Sequence, residues 1–275
     1  MIEFPLLTAA YLGSWYAFAQ LKLKKPTFPV LTFHDIDDKL DFTITRVTPS
    51  AFARIIDFLK VSGYTGTSVS GAIKAGERSI MLTFDDGWQG FMKHAYPILK
   101  QAGFSATLFV VSGYAGKPGR WDYGRTKQHL SWQDIRELSD NGIEIGSHSH
   151  SHVDLRPLKQ SKLELEISGS KKIIEDMTGR QVKYFSYPYG RFNDRLIEAV
   201  ADAGYARGFA QSIGKGMFAC PRQPVYIYDT PYSIQLKIAR NSWLERCKGY
   251  INNSLAGGTI ILRRLLPPPD PEIES

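Results

Sequence analysis

A chain of 275 residues is long enough to bury one large core, and 43% hydrophobic with 22% charged residues excludes a disordered protein. The formal net charge of +7 favours anionic surroundings, but the basic residues are dispersed, with the densest cluster at Lys22 to Lys25; without an accompanying motif this argues against a nucleic-acid partner. Two cysteines, Cys220 and Cys247, exclude a disulfide framework and a zinc knuckle and leave one bridge or none.

The chain opens on an apolar stretch from Phe4 to Ala19 that ends in Ala17-Phe18-Ala19, the small-x-small shape of a cleavage site. Glu3 stands where a cleavable signal carries a cation, and the stretch is shorter than the ~20 residues that span a bilayer. Residues 1–25 are therefore expected to be a signal or weak anchor, with a buried amphipathic helix as the alternative. Next, Phe28 to Ile36 has the form of a buried strand, and Thr48 to Gly63 that of a capped helix. The alternation continues with a strand at Ser79–Gly87, a helix at Gly90–Gly103, a strand at Ser105–Val111 and a helix behind Ser131. It runs on through a strand at Ile143–His148, a long helix at Lys159–Gly179, a strand at Val182–Gly190, a helix at Arg195–Gly204 and a strand at Tyr205–Ala210. Such alternation implies a parallel sheet covered by helices, open or closed into a barrel. The Pro-rich, acidic residues 266–275 are expected to form a flexible tail, leaving 26–265 as one catalytic-sized domain.

In parallel α/β sheets functional groups gather at the carboxyl ends of strands. Asp85 and Asp86, His148, Tyr189 with Gly190, and His34 all fall there, on four different strands. Adjacent acids at a buried strand end are costly unless compensated, although Asp-Asp-Gly is equally an ordinary turn signature. Three histidines at alternate positions, His148, His150 and His152, weight the balance towards a site. One carboxylate and two imidazoles suit zinc or a similar divalent ion and leave a position for water, while a second carboxylate can serve as general base. That combination points to hydrolysis.

Three ordered motifs, Leu82 to Gly87, His129 to Leu155 and Phe185 to Gly190, resemble those of the polysaccharide deacetylase family, the fourth family of carbohydrate esterases. The resemblance runs from about Phe28 to Ala210 and implies an α/β fold, a distorted, incomplete (β/α) barrel, and removal of acetyl groups from amino sugars of a polysaccharide or its precursor. By position it makes Asp85 the catalytic base and Asp86, His148 and His152 the ligands of a divalent metal, zinc first, with nickel, cobalt or iron compatible. It leaves His150 at a variable position and gives the backbone N–H of Tyr189 a share in holding the oxyanion. Ser147 and Ser149 are expected to brace the loop through side-chain to backbone hydrogen bonds.

Two departures from the family pattern stand out. Ser186 occupies the place of an arginine that orients the base, and Arg222 is a candidate substitute as well as a candidate substrate contact, with a surface arginine as the alternative. The late histidine that supplies a general acid is absent from the strand carrying Arg263, and His34 is a candidate for that role, or else a supporting strand-end group. Trp88 and Tyr187, beside the motifs, and Pro188, in the turn, are expected to face substrate. His94, His129 and Trp132 read as structural, and Asp35, Asp37 and Asp38 as loop solvation. The partner expected is an acetylated glycan, and the setting a cell envelope or the exterior. A non-catalytic, metal-containing carbohydrate-binding relative is the alternative function.

Overall fold

The computed structural model describes residues 29–39, 43–74, 78–119, 125–211, 214 and 216–239. The expected leader 1–25, the tail 266–275, the strand with Arg263, and Cys247 lie outside the described residues. Among those described, Cys220 is a free, buried thiol, and no helix is long and apolar enough to cross a membrane.

The frame is a ring of short parallel strands: β1 (Val30–Phe33), β2 (Thr65–Thr67), β3 (Ser79–Phe84), β4 (Thr107–Val110), β5 (Glu144–Ser147), β6 (Tyr184–Ser186) and β7 (Arg207–Ala210). A final crossing supplies β8 (Cys220–Pro221) and β9 (Gln223–Pro224). Their order is β8-β7-β6-β5-β4-β3-β1-β9, with β2 beside the start of β3. β3 pairs with β1 along Met81 to Phe84, with β2 at Ser79 to Met81, and with β4 at Thr83 and Phe84. Closure falls on five residues, because β8 pairs with β7 while β9 pairs with β1. Arg222 sits between the two halves of that crossing and is held at the seam of a nearly closed barrel.

Helices α1 (Pro49–Val61), α2 (Val69–Lys74), α3 (Tyr96–Ala102), α4 (Trp132–Asp140), α5 (Gln160–Glu164), α6 (Ser170–Thr178), α7 (Asp194–Asp202) and α8 (Pro231–Ala239) complete the fold. Thr48 caps α1 by accepting the N–H of Ala51, and Ser131 with Asp134 forms a reciprocal capping box on α4. π-helical turns precede α3 (Phe91–Ala95) and join α5 to α6 (Leu165–Gly169), so the long helix expected at Lys159–Gly179 is one rod with a widened turn. β2 and α2 were not expected; each is too short to leave a periodic signature.

Strand period two sorts the core into two layers. Leu31, Phe33, Leu82, Phe84, Leu108, Ile145 and Phe185 pack with helix residues such as Phe52, Leu99, Ile135, Leu163 and Leu196. The alternate positions Val30, Met81, Phe109, Tyr184 and Phe209 form a smaller cluster with Val69 and Ala72 of α2. Gly146 makes room for this inner layer, since a Cβ there would lie 2.5 Å from the Phe109 ring. Phe84 is the hinge of the outer layer, with ring contacts to Phe33 at 5.1 Å, Phe52 at 5.7 Å and Phe91 at 4.7 Å. Phe84→Ala is expected to destabilise the protein by about 3–5 kcal/mol, read as a lower urea midpoint with an unchanged slope. A loss below about 1 kcal/mol would show that this layer is not a tightly packed core.

Candidate active site

β3 runs through six buried residues and delivers Asp85 and Asp86 at its carboxyl end. Asp86 and Gly87 then adopt left-handed backbone (φ 72° and 73°), so the chain turns sharply and both carboxylates reach the mouth. Four non-glycine residues among those described have positive φ, namely Asp86, Ser149, His152 and Tyr189, and they fall one or two to each of the three motifs. Left-handed conformations cost about 1–3 kcal/mol each and persist where surrounding structure enforces them. The strain is concentrated at one place.

Arg222 heads the fully buried side chains among the described residues, and it grips Asp85 with two bonds, Nη1 to Oδ1 at 2.7 Å and Nη2 to Oδ2 at 2.7 Å. Its Nη2 also donates to Ser186 Oγ at 2.8 Å, and its Nε to the carbonyl of Ala210 at 3.3 Å. Ser186 Oγ in turn donates to Asp85 Oδ2 at 3.2 Å. The guanidinium lies over the rings of Phe109 (5.4 Å) and Phe209 (5.9 Å). Burial pushes the Asp85 carboxyl up, but Arg222 and then His148 outweigh it, and the net shift is below the ordinary carboxylate value. Asp85 is therefore held ionised, in one orientation, inside the protein.

Beside it, Asp86 Oδ1 lies 3.5 Å from His148 Nε2 and 3.3 Å from His152 Nε2. All three residues are buried, their ligand-capable atoms lie within 4.8 Å of one another, and Asp86 Oδ1 has no hydrogen-bond partner. Two donors each about 2.0–2.1 Å from a tetrahedral zinc would stand about 3.3 Å apart, which matches this spacing. The second oxygen of Asp86 accepts a 3.0 Å bond from the Trp88 indole N–H. His148 Nδ1 lies 2.8 Å from the carbonyl of Ser186, which assigns its proton to Nδ1 and leaves the Nε2 lone pair towards Asp86. Burial lowers the His148 pKa to about 4, so the imidazole is neutral at pH 7, the form a metal requires. An orphaned carboxylate oxygen and two imidazoles thus fit a divalent metal.

The remaining expected residues divide. His34, at the end of β1, is near enough to favour the ionised forms of both Asp85 and Asp86, and its buried Nδ1 has no hydrogen-bond partner. Tyr189 sits in the Pro188–Gly190 turn with its ring 4.7 Å from that of His152. His150 turns away from the cluster, with Nδ1 3.0 Å from Ser112 Oγ. Ser149 accepts the His152 N–H as expected, whereas Ser147 bonds the Ser170 hydroxyl of α6 instead of loop backbone.

The four expected substrate contacts are buried like the candidate ligands beside them. Trp88, Tyr187, Pro188 and Arg222 are all buried, Tyr187 and Arg222 at 0% exposure. Tyr187 follows strand alternation onto the helix layer, where it packs on Phe185 and donates to the carbonyl of Phe218. Trp88 supports Asp86, and Arg222 supports Asp85. Asp35 also departs from expectation: it is buried and paired with Lys127 at 3.1 Å. His94 shares a partly exposed cluster with Asp37 and Asp38, in which Arg125 already engages Asp37. His129 is structural in a way its sequence position does not reveal, its ring tilted against that of Trp88 with centroids 4.0 Å apart and its Nδ1 bonded to the carbonyl of Lys117.

A parallel, nearly closed (β/α) barrel with a carboxylate and imidazole cluster at its carboxyl mouth defines the class. The family model described as polysaccharide deacetylase matches residues 72–208. YxkH of Bacillus subtilis (strain 168), which bears the name of a polysaccharide deacetylase, is 31% identical over 217 residues, covering 74% of each chain. The chain belongs to the polysaccharide deacetylase family. The poly-beta-1,6-N-acetyl-D-glucosamine N-deacetylase of Staphylococcus aureus (strain MRSA252) is 27% identical over 146 residues, 50% of this chain and 49% of that relative. In fold, the chain is similar to the Streptococcus pyogenes deacetylase PplD, solved in complex with acetate, with a TM-score of 0.68, 23% identity and coverage of 77% and 97%.

The buried pair yields a test of sign. Asp85's folded pKa lies below its unfolded value, so its contribution to stability is fully present above about pH 4 and is lost as pH falls through the folded pKa. Arg222→Met leaves the carboxylate buried and unpaired, and is expected to cost about 3–5 kcal/mol at pH 7. The deficit should shrink on acidification, because the variant's Asp85 can then take up a proton. Urea unfolding of both proteins at neutral and acidic pH measures it; an equal deficit at every pH would show that Asp85 is not the partner that matters.

Proposed function

We propose that the chain is a metal-dependent de-N-acetylase acting on acetamido sugars of an envelope polysaccharide or its precursor. The observation that carries the proposal is the placing of an Arg222-clamped, ionised Asp85 directly beside the Asp86, His148 and His152 cluster. The name of the staphylococcal relative supports an N-acetylated substrate. We assign Asp86, His148 and His152 as ligands, with zinc the metal best suited to one oxygen and two imidazole nitrogens, and nickel, cobalt or iron compatible. The catalytic domain is assigned to 26–265, with 1–25 as leader or anchor for a cell-envelope or exported enzyme and 266–275 as a tail.

When bound, such a metal polarises the acetyl carbonyl and acidifies water, which suits a base as weak as an Arg-paired carboxylate. Asp85 accepts the proton of the attacking water as the new C–O bond forms at the acetamide carbon. Arg222 and Ser186 keep its oxygens fixed during that transfer. The backbone N–H of Tyr189 is assigned to the oxyanion, and His34 to the proton that the amine takes up as the C–N bond breaks. The arginine absent at Ser186 would favour a non-catalytic relative, but Arg222 supplies a guanidinium to the same carboxylate.

Acetate release from a panel of N-acetylated glycans, with zinc supplied and then chelated, tests the reading; release that survives verified metal removal would refute it. His148→Ala and His152→Ala are each expected to lose bound metal, and His150→Ala to keep it, as read by elemental analysis. Asp85→Asn should retain metal and lose turnover by ~10²-fold or more. A metal-free Asp85→Asn would reverse the roles of the two aspartates. For His34→Ala, the loss should be concentrated on acetamides, with an activated aryl acetate hydrolysed nearly as before, because its leaving group needs little protonation. Equal loss on both substrates would make His34 a positioning group.

A further inference from the structure

We propose that Glu166 is a positioning residue that sets the affinity of the metal centre through the histidine loop; the role rests on the ligand assignment above. The rod α5 to α6 runs beneath that loop and buries Leu163, Ile167, Ser170 and Ile174. Glu166 is buried with them at 5% exposure, a carboxylate beside the apolar side chains of Leu163, Ile167 and Ile174. Such a group is costly unless its bonds are made, and here they all go to one place. Oε2 accepts the backbone N–H groups of His150 and Ser151, each at 2.9 Å, and Oε1 accepts the Ser151 hydroxyl. Two successive N–H groups converging on one anionic oxygen form a charge-assisted clamp.

The clamped peptides stand between the two left-handed residues of the loop, Ser149 (φ 68°) and His152 (φ 53°). Holding His150 and Ser151 from below therefore fixes the turn that presents His152, and opposes its relaxation to unstrained backbone. The clamp is itself anchored. Glu166 lies in the π-helical turn Leu165–Gly169, where the Ser170 hydroxyl donates to the carbonyls of Glu166 (2.7 Å) and Ile167 (2.9 Å). Tyr205 OH donates to Ile167 O at 3.0 Å, and Ser170 meets Ser147, at the end of β5, at 2.8 Å. Widened turns of this kind re-aim a side chain at functional sites, and this one aims a carboxylate at the loop.

The test is the zinc dissociation constant, measured by chelator competition, for the wild type, Glu166→Leu and Glu166→Gln. Leucine suits the apolar side chains beside it and removes both acceptors; glutamine keeps one oxygen for the two N–H groups and turns its amide to the Ser151 hydroxyl. Glu166→Leu is expected to weaken zinc binding by about 10–100-fold, and Glu166→Gln to restore it to within about threefold of the wild type. In the metal-free proteins the His150 and Ser151 amides should exchange faster in Glu166→Leu than in Glu166→Gln. A purely structural role would lower the urea midpoint of Glu166→Leu while leaving zinc affinity unchanged, and that result overturns the proposal. Should Glu166→Leu fail to fold, unchanged zinc affinity in Ser151→Ala, which removes one arm of the clamp, overturns it as well. A wild type that takes up no zinc refutes the metal centre and this role with it, whereas normal wild-type binding with an unaffected Glu166→Leu refutes this role alone.

Discussion

The paired bonds between Arg222 and Asp85 are the constraint on which the rest of the architecture depends. They join the carboxyl end of β3 to the five-residue crossing that closes the barrel, so the same contact completes the ring and aims the candidate base. Both partners are out of water, and a buried pair gains little net stability because desolvation offsets attraction. Its contribution is placement. A lone Asp85 at that depth would be driven to take up a proton, whereas a lone Arg222 could not shed its charge by losing one, so each needs the other where the closing strand puts it.

Around that pair the loops carry strain that the interior has to hold. Asp86, Ser149, His152 and Tyr189 each stand in left-handed backbone. Trp88 holds the second oxygen of Asp86, Ser149 catches the His152 N–H, and the carbonyl of Ser186 orients His148. The site is pre-set by its supports, which is what a hydrolase needs if binding energy is to be spent on the reaction instead of on arranging side chains.

Much of this was legible in the sequence where the signal is local. Strand and helix alternation gave the parallel architecture, and strand-end polar residues marked the mouth, because both rest on contacts between near neighbours. Whether a side chain faces substrate or core was less legible. Tyr187 lies two residues after Phe185 in a strand, so period two already assigned it to the helix layer, but proximity to the motif suggested a sugar contact. Arg222 could be marked as a candidate partner for Asp85 but not as a fully buried one, since its burial follows from barrel closure across the whole chain. Glu166 left a faint trace, a carboxylate within the stripe Leu163, Ile167, Ser170 and Ile174, and only the fold shows what it holds. β2 and α2 left no trace, being too short for either period.

In the proposed reaction, Arg222 is expected to act through Asp85 and by no other route. A double-mutant cycle in turnover, measured as acetate release by the zinc-loaded wild type, Asp85→Asn, Arg222→Met and the double variant, tests it most directly. The double variant is expected to be no slower than Asp85→Asn alone, because once the carboxylate is gone the remaining Arg222 bonds to Ser186 and Ala210 hold no reacting group. Losses that multiply, with the double variant slower than Asp85→Asn by the full Arg222→Met factor, would contradict it.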